Sequence, residues 1–335
     1  MLASIQRIDS LTPITGADKI ETARILGWDV IVKIGTFHVG SFCVFIQTDT
    51  IIPKWLLTEN KADTEKVRLK TIKMKGQISQ GLALPLNVIQ DLIDITEYQD
   101  VTDLLGIEKY EKPIPQNSAP YLKGGFPRFI PKTDEERIQN EPELLKKIAG
   151  KPIYITQKVD GTSTTIYKLN GELHVCSRNY EVGRSQQTYH EKNSNASENV
   201  YWRIVDKYNL EEVLPEGYYI QGEIYGEGIN KNNLGITGID LAVFSMGKII
   251  SEEILVTRFD YLEMRDFCME KNLQMVKLLY TGYAPFYTVD ELVILSNSAR
   301  YMPSDSLQEG IVVRTLDMEV SFKVINPHYS LANEE

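Results

Sequence analysis

A segment rich in proline and glycine constrains the fold of this chain more than any other feature of its sequence. Residues 111–132 read EKPIPQNSAPYLKGGFPRFIPK, with five prolines and a Gly-Gly pair. Proline removes a backbone donor and glycine loosens the chain, so regular structure is not expected here. The length of 335 residues also exceeds what one core usually holds. The sequence therefore predicts two domains, residues 1–118 and 132–335, joined by a linker over residues 119–131.

Strand patterns dominate the first of these domains. Apolar residues alternate in GWDVIVKIGTF (27–37), which places Trp28, Val30 and Val32 on one face. Similar stretches are GSFCVFIQTD (40–49) and KVRLKTIKMK (66–75). Several short strands with glycine turns predict a small β-barrel, for which the OB-fold is the obvious candidate. A helical stretch is predicted over residues 87–105.

The second domain alternates strand and helix patterns. Strands are predicted for PIYITQKV, GYYIQGEIYG and GIVVRT, and helices near residues 199–209, 257–272 and 289–299. The run Thr133-Asp134-Glu135-Glu136 matches a capping box, which predicts that a helix begins there. The whole is therefore predicted to be an α+β domain with substantial antiparallel sheet.

Charge is spread unevenly along the chain. The net charge is −10, which argues against a protein that binds nucleic acid through a general coat of basic charge. Five cations nevertheless lie within ten residues of the first domain: Lys66, Arg68, Lys70, Lys73 and Lys75. They form either a solvated strand face or a surface that contacts phosphates.

Targeting and metal signals are weak. No run of about 18 apolar residues is present, so no membrane span is predicted. The start of the chain lacks a basic region followed by an apolar stretch, which predicts no signal peptide and a cytoplasmic location. Three distant cysteines, Cys43, Cys176 and Cys268, predict neither a zinc site nor a disulfide framework.

A lone lysine, Lys158, stands at the end of a predicted strand in YITQKVDGTSTTIY (154–167). A free lysine amine has a pKa near 10.4 and is protonated at neutral pH, so it is not a nucleophile. Apolar burial and nearby positive charge both lower that pKa. Lys158 is therefore either an ordinary lysine beside a turn or an activated nucleophile.

Further short motifs follow Lys158 in a fixed order. They are VCSRN with Arg178, IQGEIYGEG with Glu223, LAVFSM with Phe244, QEGIVVR with Glu309, and SFKV with Lys323. Together with Lys-Val-Asp-Gly, this series resembles the covalent nucleotidyltransferase superfamily of ATP-dependent polynucleotide ligases and capping enzymes. The resemblance covers about residues 128–326 and implies a ligase-type, ATP-grasp-like α+β fold.

The resemblance implies two catalytic lysines. Lys158 matches the nucleophile that attacks the α-phosphorus of ATP and holds AMP. Lys323 matches the lysine that contacts the α-phosphate, and its charge is expected to lower the pKa of Lys158. Arg178 then contacts the nucleotide, and Phe244 stacks on adenine.

The resemblance also implies carboxylate roles. Glu223 matches the group that binds the ribose hydroxyls, and Asp160 and Gly161 belong to the nucleotide-binding motif. Glu309, together with Glu223, is expected to bind Mg²⁺ or Mn²⁺, because hard oxygen ligands suit these ions.

Two positions depart from the pattern of these families. Ser321 stands where a first lysine often precedes Lys323, so another cation is needed if that phosphate contact is kept. Gln157 replaces a glutamate often found before the nucleophile, and its amide can still accept a bond from the adenine amino group. We therefore expect ATP rather than GTP.

The order of the domains points to one family. Only twelve residues follow Lys323, whereas DNA ligases and capping enzymes carry an OB domain there. The arrangement, together with TPITGADKIETARILGWDVIVKIGTFHVG and SQGLALPL, resembles the ATP-dependent RNA ligases with an N-terminal OB-fold, the fifth RNA ligase family.

That resemblance implies an enzyme that joins 3′-hydroxyl and 5′-phosphate RNA ends through a lysyl-AMP and an AppRNA intermediate, in repair of nicked RNA, and we expect a monomer. The cations of residues 66–75 would then contact phosphates of RNA or of departing pyrophosphate. The polar stretch 183–199 is either an RNA-facing loop or an inert insertion. The alternatives are a GTP-dependent capping enzyme, a DNA ligase, or a non-catalytic nucleic-acid-binding OB protein.

Overall fold

A computed structural model describes residues 1–58, 60, 62–89, 94–111, 121–184, 199–251, 255–298, 300–301 and 304–333. The predicted loop 183–199 therefore lies almost wholly outside the described residues. Residue 118, the predicted end of the first domain, also lies outside the described residues, and the division at this point stays a prediction. No helix of the described ranges is long and apolar enough to cross a membrane.

Eleven short strands build the first part of the chain. They are β1 (Ala3–Arg7), β2 (Ser10–Pro13), β3 (Ile20–Ile25), β4 (Trp28–Lys33), β5 (Phe42–Ile46), β6 (Thr50–Pro53), β7 (Lys66–Leu69), β8 (Ile72–Met74), β9 (Gln77–Ser79), β10 (Leu82–Leu84) and β11 (Glu108–Lys109). A short helix, α1 (Trp55–Thr58), and a 3₁₀ turn (Leu86–Ile89) accompany them.

These strands form three small antiparallel sheets and one hairpin, β8–β9. The alternation predicted for β4 is confirmed, because Trp28, Val30 and Val32 are all buried. Trp28 is 2% and Phe37 is 4% exposed, and both belong to one apolar cluster. Neither ring is therefore available to stack on a base, and the predicted small β-barrel has its own core.

The second part of the chain carries thirteen further strands and six helices in its described residues. The strands are β12 (Leu122–Gly125), β13 (Pro152–Lys158), β14 (Thr162–Leu169), β15 (Glu172–Cys176), β16 (Tyr180–Val182), β17 (Tyr218–Gly226), β18 (Ile239–Ser251), β19 (Leu255–Arg258), β20 (Leu278–Tyr283), β21 (Arg300–Tyr301), β22 (Ser306–Leu307), β23 (Gly310–Thr315) and β24 (Ser321–Ile325). The helices are α2 (Leu144–Ile148), α3 (Val200–Lys207), α4 (Leu210–Val213), α5 (Tyr261–Glu270), α6 (Val289–Ser298) and α7 (Pro327–Asn333).

Two antiparallel sheets organise this domain. One has seven strands in the order β12-β16-β15-β14-β17-β18-β19, and the other has four in the order β20-β13-β23-β24. The largest apolar cluster joins Tyr154 of the smaller sheet to Ile166 and Ile220 of the larger one and to helices α3 and α5. A second cluster packs the other face of the smaller sheet against α6. The predicted α+β class with antiparallel sheet is confirmed.

Three sequence predictions of local structure were wrong. Residues 133–136 form no helix: they run alongside β24, where Lys323 N donates to Glu136 O and Ile138 N donates to Lys323 O. This pairing outweighs the local capping signal. The helix predicted over residues 87–105 is only the short 3₁₀ turn in the described part of that range. Residues 122–125, in the segment expected to lack regular structure, form β12 beside β16.

The two domains contact each other along residues 137–140. Gly27 N donates to Gln139 O at 3.0 Å, and Trp28 Nε1 donates to Asn140 Oδ1 at 2.9 Å. A Cβ at Gly27 would lie 2.7 Å from Gln139 Cα. Arg137 donates to Asp49 Oδ2 at 2.5 Å. The first domain therefore holds the segment that flanks the Lys323 strand.

Candidate active site

Lys158 is the last residue of β13 and lies between the two sheets. Its Nζ donates to Glu309 Oε2 at 2.6 Å, and the two side chains are 27% and 20% exposed. Lys158 pairs in register with Gly310 of β23. Glu309, the residue before Gly310, therefore lies at the same end of the sheet. A Cβ at Gly310 would lie 2.2 Å from Val324 O, which explains why a glycine follows Glu309.

The turn after Lys158 is fixed by polar contacts. The Asp160 carboxylate accepts bonds from Asn230 Nδ2 at 2.7 Å and from Asn233 Nδ2 at 2.8 Å. A Cβ at Gly161 would lie 2.2 Å from Ile224 O and 2.8 Å from Glu223 Cγ. Only glycine therefore allows β17 to approach this turn so closely, which brings Glu223 toward Lys158.

Tyr301 also holds the backbone around the lysine. Its hydroxyl donates to Lys158 O at 2.5 Å and lies 3.2 Å from Asp160 N. Sequence reasoning did not select Tyr301, Asn230 or Asn233, because they belong to no motif near Lys158. Their roles follow from tertiary contacts alone.

Three carboxylates surround the one ammonium group. The pKa of Glu223 is raised to about 8: burial is the largest cause, Lys158 and Arg178 oppose it, and the charges of Glu309 and Asp160 add to it. One lysine facing Asp160, Glu223 and Glu309 leaves a formal charge of about −2, if all four are ionised. Such a site favours an added cation.

The structure corrects the expectation for the pKa of Lys158. Burial lowers this pKa, but Glu309 and Glu223 outweigh burial, so that the pKa is raised above its ordinary value. The charge of Lys323 was expected to lower this pKa, but Glu309, Glu223 and Asp160 all raise it, and their combined effect dominates. Lys158 is therefore protonated in this state, and a protonated amine is not a nucleophile.

Lys323 lies on β24, where burial lowers its pKa and the charges of Arg137 and Lys158 add to this effect. Its Nζ lies 3.2 Å from Asp134 Oδ1. Asp134 Oδ2 accepts bonds from Arg178 and from Lys109 of the first domain, both at 2.7 Å. Burial would raise the pKa of Asp134, but these cations hold it well below its usual range.

Asp134 was missed as a site residue, because its motif was interpreted as a helix cap. Its carboxylate forms ion pairs with Lys323 and Arg178, the two cations that the resemblance assigns to the nucleotide. A cleft of about 190 Å³ opens beside it and is lined by Phe126, Lys132, Arg178 and Gln221, among others.

Ser321 lies on the same face of β24 as Lys323, but a carboxylate engages its hydroxyl. Its hydroxyl donates to Glu135, which also accepts a bond from Arg314 at 2.9 Å. Arg137 forms a parallel bridge with Lys323 and is the nearby cation that the sequence could not identify.

Phe244 and Gln157 are placed differently. Phe244 falls at the irregularity where β18 shifts register against β17, and it packs beside Val159 and Tyr301 next to Lys158. Gln157 pairs with Ile311, which faces the α6 cluster. Side chains alternate along a strand, so Gln157 points away from Lys158. This geometry does not favour the expected contact of its amide with adenine.

The donor set fits a divalent ion bound together with phosphate. No group of three or more His, Cys, Asp or Glu side chains in the described residues is arranged to hold a metal by itself. Mg²⁺ is usually held by one or two carboxylates plus substrate phosphates and water. Glu223 and Glu309 supply two such carboxylates, and Lys323 and Arg178 supply charge for phosphates.

Comparisons with known proteins agree with this arrangement. A family model described as RNA ligase matches residues 151–325, and one described as an OB-fold domain matches residues 2–86. No curated protein matches the chain.

Solved structures of Naegleria gruberi RNA ligase are similar to this chain over its whole length. A mutant with ATP and Mn is 28% identical at a TM-score of 0.86, covering 100% of this chain and 99% of that one. A mutant with AMP and Mn is 28% identical at a TM-score of 0.87, covering 99% of both chains. The ligase with PPi is 29% identical at a TM-score of 0.85, covering 99% and 98%.

The predicted OB-fold and nucleotidyltransferase domains are thereby confirmed. The match at residues 151–325 spans more than half of the chain and contains Lys158, Glu309 and Lys323. This chain belongs to the RNA ligase family and carries its OB-fold domain on the N-terminal side.

Proposed function

We propose that this protein is an ATP-dependent RNA ligase that joins a 3′-hydroxyl end to a 5′-phosphate end, with Lys158 as the covalent nucleophile. The observation that carries this proposal is the ion pair between Lys158 and Glu309 at 2.6 Å, formed where Glu223, Asp160 and Lys323 converge. A structural lysine has no need of so many charged neighbours.

In the first step, the neutral amine of Lys158 attacks the α-phosphorus of ATP. A phosphorus–nitrogen bond forms, the bond to pyrophosphate breaks, and AMP stays on the lysine. Lys323 and Arg178 offset the negative charge that develops on the phosphorus oxygens. Phe244 stacks on adenine, and Glu223 is placed to bind the ribose hydroxyls.

Lys158 must lose a proton before this step. Glu223 and Glu309 would hold a divalent ion, Mg²⁺ or Mn²⁺, whose positive charge would offset these carboxylates and so lower the pKa of Lys158. Until then, the ammonium and Glu309 hold each other in an unreactive pair. Lys158 would thus become nucleophilic only when a divalent ion is bound at Glu223 and Glu309.

Two transfers complete the reaction. A 5′-phosphate oxygen of RNA attacks the lysyl-AMP phosphorus, the phosphorus–nitrogen bond breaks, and AppRNA forms while Lys158 regains its proton. The 3′-hydroxyl then attacks the 5′-phosphate phosphorus, AMP leaves, and the strand is sealed. The similarity to a ligase solved with ATP and Mn, and with AMP and Mn, supports this order of reaction steps. We further propose that the natural substrate is nicked RNA.

The test is the intact mass of the protein after incubation with ATP and Mg²⁺ or Mn²⁺, following removal of any AMP already bound. We expect a gain of one AMP, which Lys158→Ala abolishes. Lys151→Ala is the matched control, because Lys151 lies just before the same strand but pairs with Glu319. A second assay then measures the sealing of nicked duplexes that carry either RNA or DNA at the 3′-hydroxyl end.

The outcomes separate the alternatives. An adduct with GTP instead of ATP would indicate a capping-type enzyme, and preferential sealing of DNA would indicate a DNA ligase. The absence of any adduct with every nucleotide and metal would leave a non-catalytic nucleic-acid-binding protein.

A further inference from the structure

The five cations of residues 66–75 separate into two groups in the structure. Lys66 Nζ pairs with Glu108 at 2.5 Å. Arg68 pairs with Asp49 at 2.8 Å, and its guanidinium lies 3.8 Å from the ring centre of Tyr110. These two side chains are thus occupied within the first domain. Lys70, Lys73 and Lys75 form no ion pair with any residue in the described part of the chain.

Lys73 and Lys75 belong to an exposed hairpin. Strands β8 and β9 pair from Ile72–Ser79 to Met74–Gln77, and residues 72–76 are all exposed. The stretch from Lys70 to Gln80 contains no acidic residue, although the chain as a whole has a net charge of −10. The hairpin is therefore a local basic arm on an acidic protein.

The tip of the hairpin has an unusual lysine. Lys75 has φ 50° and Gly76 has φ 86°, the pattern of a type I′ turn. Gly, Asn and Asp are preferred at such a position, and another residue there costs about 1 kcal/mol. A lysine in this conformation keeps a charge at the far end of the arm, where it does not contribute to the fold.

Apolar side chains on the hairpin are also uncovered. Ile72 is 47% and Met74 is 43% exposed, so the ribbon presents apolar surface together with its lysines. Neither side chain belongs to an apolar cluster of the described residues. The combination of cations and apolar contacts suits a strand of nucleic acid, which offers phosphates and sugar surfaces side by side.

The hairpin begins next to the candidate active site. Asp49 N donates to Leu69 O at 3.0 Å, and Asp49 also holds Arg137, which bridges to Lys323. From Lys70 to Lys75 the chain extends over about 16 Å at the usual rise of a strand. RNA with an end at Lys158 is long enough to span this distance, whereas pyrophosphate is a small ion.

We propose that hairpin β8–β9 binds the phosphate backbone of the RNA whose ends lie at Lys158, with Lys73 and Lys75 as its phosphate contacts. This inference rests on the proposed function, because it names the surface that holds the substrate of that reaction. In this proposal the basic run has two roles: Lys66 and Arg68 stabilise the first domain, and Lys73 and Lys75 bind RNA.

The test compares Lys73→Ala/Lys75→Ala with Lys146→Ala/Lys147→Ala. The control pair loses the same charge from adjacent lysines on α2, far along the chain, where Lys146 pairs with Glu143. Binding of a labelled nicked RNA duplex and of a single strand is measured by fluorescence anisotropy at several salt concentrations. Lysine adenylylation with ATP is measured beside it.

We expect the hairpin variant to bind nicked duplex at least fivefold more weakly than the wild type. The slope of log affinity against log salt should fall by about 1 to 2, one for each lost phosphate contact. Adenylylation should be unchanged, and the control pair should bind normally. Loss confined to the single strand would still place RNA on the hairpin.

Unchanged RNA binding and an unchanged salt slope would overturn the inference, as would an equal loss of binding in the control pair. A fall in adenylylation with normal RNA binding would also overturn it, since the lysines would then serve ATP. Failure of the wild type to form an AMP adduct would reject the proposed function instead, while the binding measurement would still decide the role of the hairpin.

Discussion

The contact between the domains offers a test of how the first domain influences catalysis. Replacing Gly27 by alanine places a Cβ 2.7 Å from Gln139 Cα and 2.9 Å from Val289 Cγ1. Carbon atoms in contact usually lie 3.5–4.0 Å apart. The two domains must therefore separate by about 1 Å at this point, because a backbone atom cannot move aside as a flexible side chain would.

The cost can be estimated from the contacts that are disturbed. Overpacking of this kind costs about 1–3 kcal/mol. The bonds from Gly27 N to Gln139 O and from Trp28 to Asn140 would each lose about 1 kcal/mol. Together, about 3–5 kcal/mol is removed from the docking of the first domain on residues 137–140.

Docking matters to the reaction because Arg137 belongs to the docked segment, and Lys323 lies on β24, which pairs with that segment. We expect Gly27→Ala to slow formation of the AMP adduct by tenfold or more, which corresponds to about 1.4 kcal/mol of the docking energy. Adduct formation is followed by intact mass over time at saturating ATP, and folding is checked by thermal unfolding.

Gly35→Ala is the matched control for this variant. Gly35 has φ +79° and no atom within 4 Å of a Cβ placed there, so alanine adds local strain of about 1 kcal/mol and no clash between domains. Adduct formation should proceed at the rate of the wild type. The reasoning is refuted if Gly27→Ala forms the adduct as fast as the control does.

Three further predictions concern the site itself. Because the pKa of Glu223 is raised from 4.5 to about 8, its ionisation opposes folding as pH rises from about 5 to 8; Glu223→Gln should therefore stabilise the protein at pH 9, by at most about 5 kcal/mol, and not at pH 4, as urea unfolding would reveal. Asp134→Asn frees Lys323, Arg178 and Lys109, so the KM for ATP in adduct formation should fall, and a rise would show that Asp134 orients these cations instead. Phe244→Leu keeps the packing beside Val159 but removes a stacking ring. The KM for ATP should therefore rise roughly tenfold, as expected for about 1–3 kcal/mol of stacking, without a change in thermal stability. An unchanged KM would show that adenine does not stack on Phe244.

Much of the site was predictable because the chemistry is written in short, contiguous motifs. Lys158, Asp160 and Gly161 share one strand end and turn, Glu309 directly precedes the apolar strand β23, and Lys323 lies in the middle of β24. These local patterns place each residue on a strand without knowledge of the fold. The series of motifs then indicates that the strands share one site, and the ion pair of Lys158 with Glu309 agrees with it.

Local patterns failed where a distant partner competes for the same residues. Thr133–Glu136 has the letters of a helix cap, yet its backbone pairs with the strand of Lys323. Gln157 precedes the nucleophile, yet the alternation of β13 turns it toward α6. In both cases the decisive energy comes from contacts more than a hundred residues away, which no short window contains.

The sequence by itself therefore determined the class of chemistry, the order of the domains and the principal charged residues, since these depend on residue type and short spacing. Only the tertiary structure decided the protonation of Lys158, which depends on three carboxylates from three separate chain segments. It alone revealed Asp134 among the phosphate-site cations and the division of the basic run into paired and unpaired lysines. Electrostatic energies depend on distance in space, and distance in space is what folding adds to a sequence.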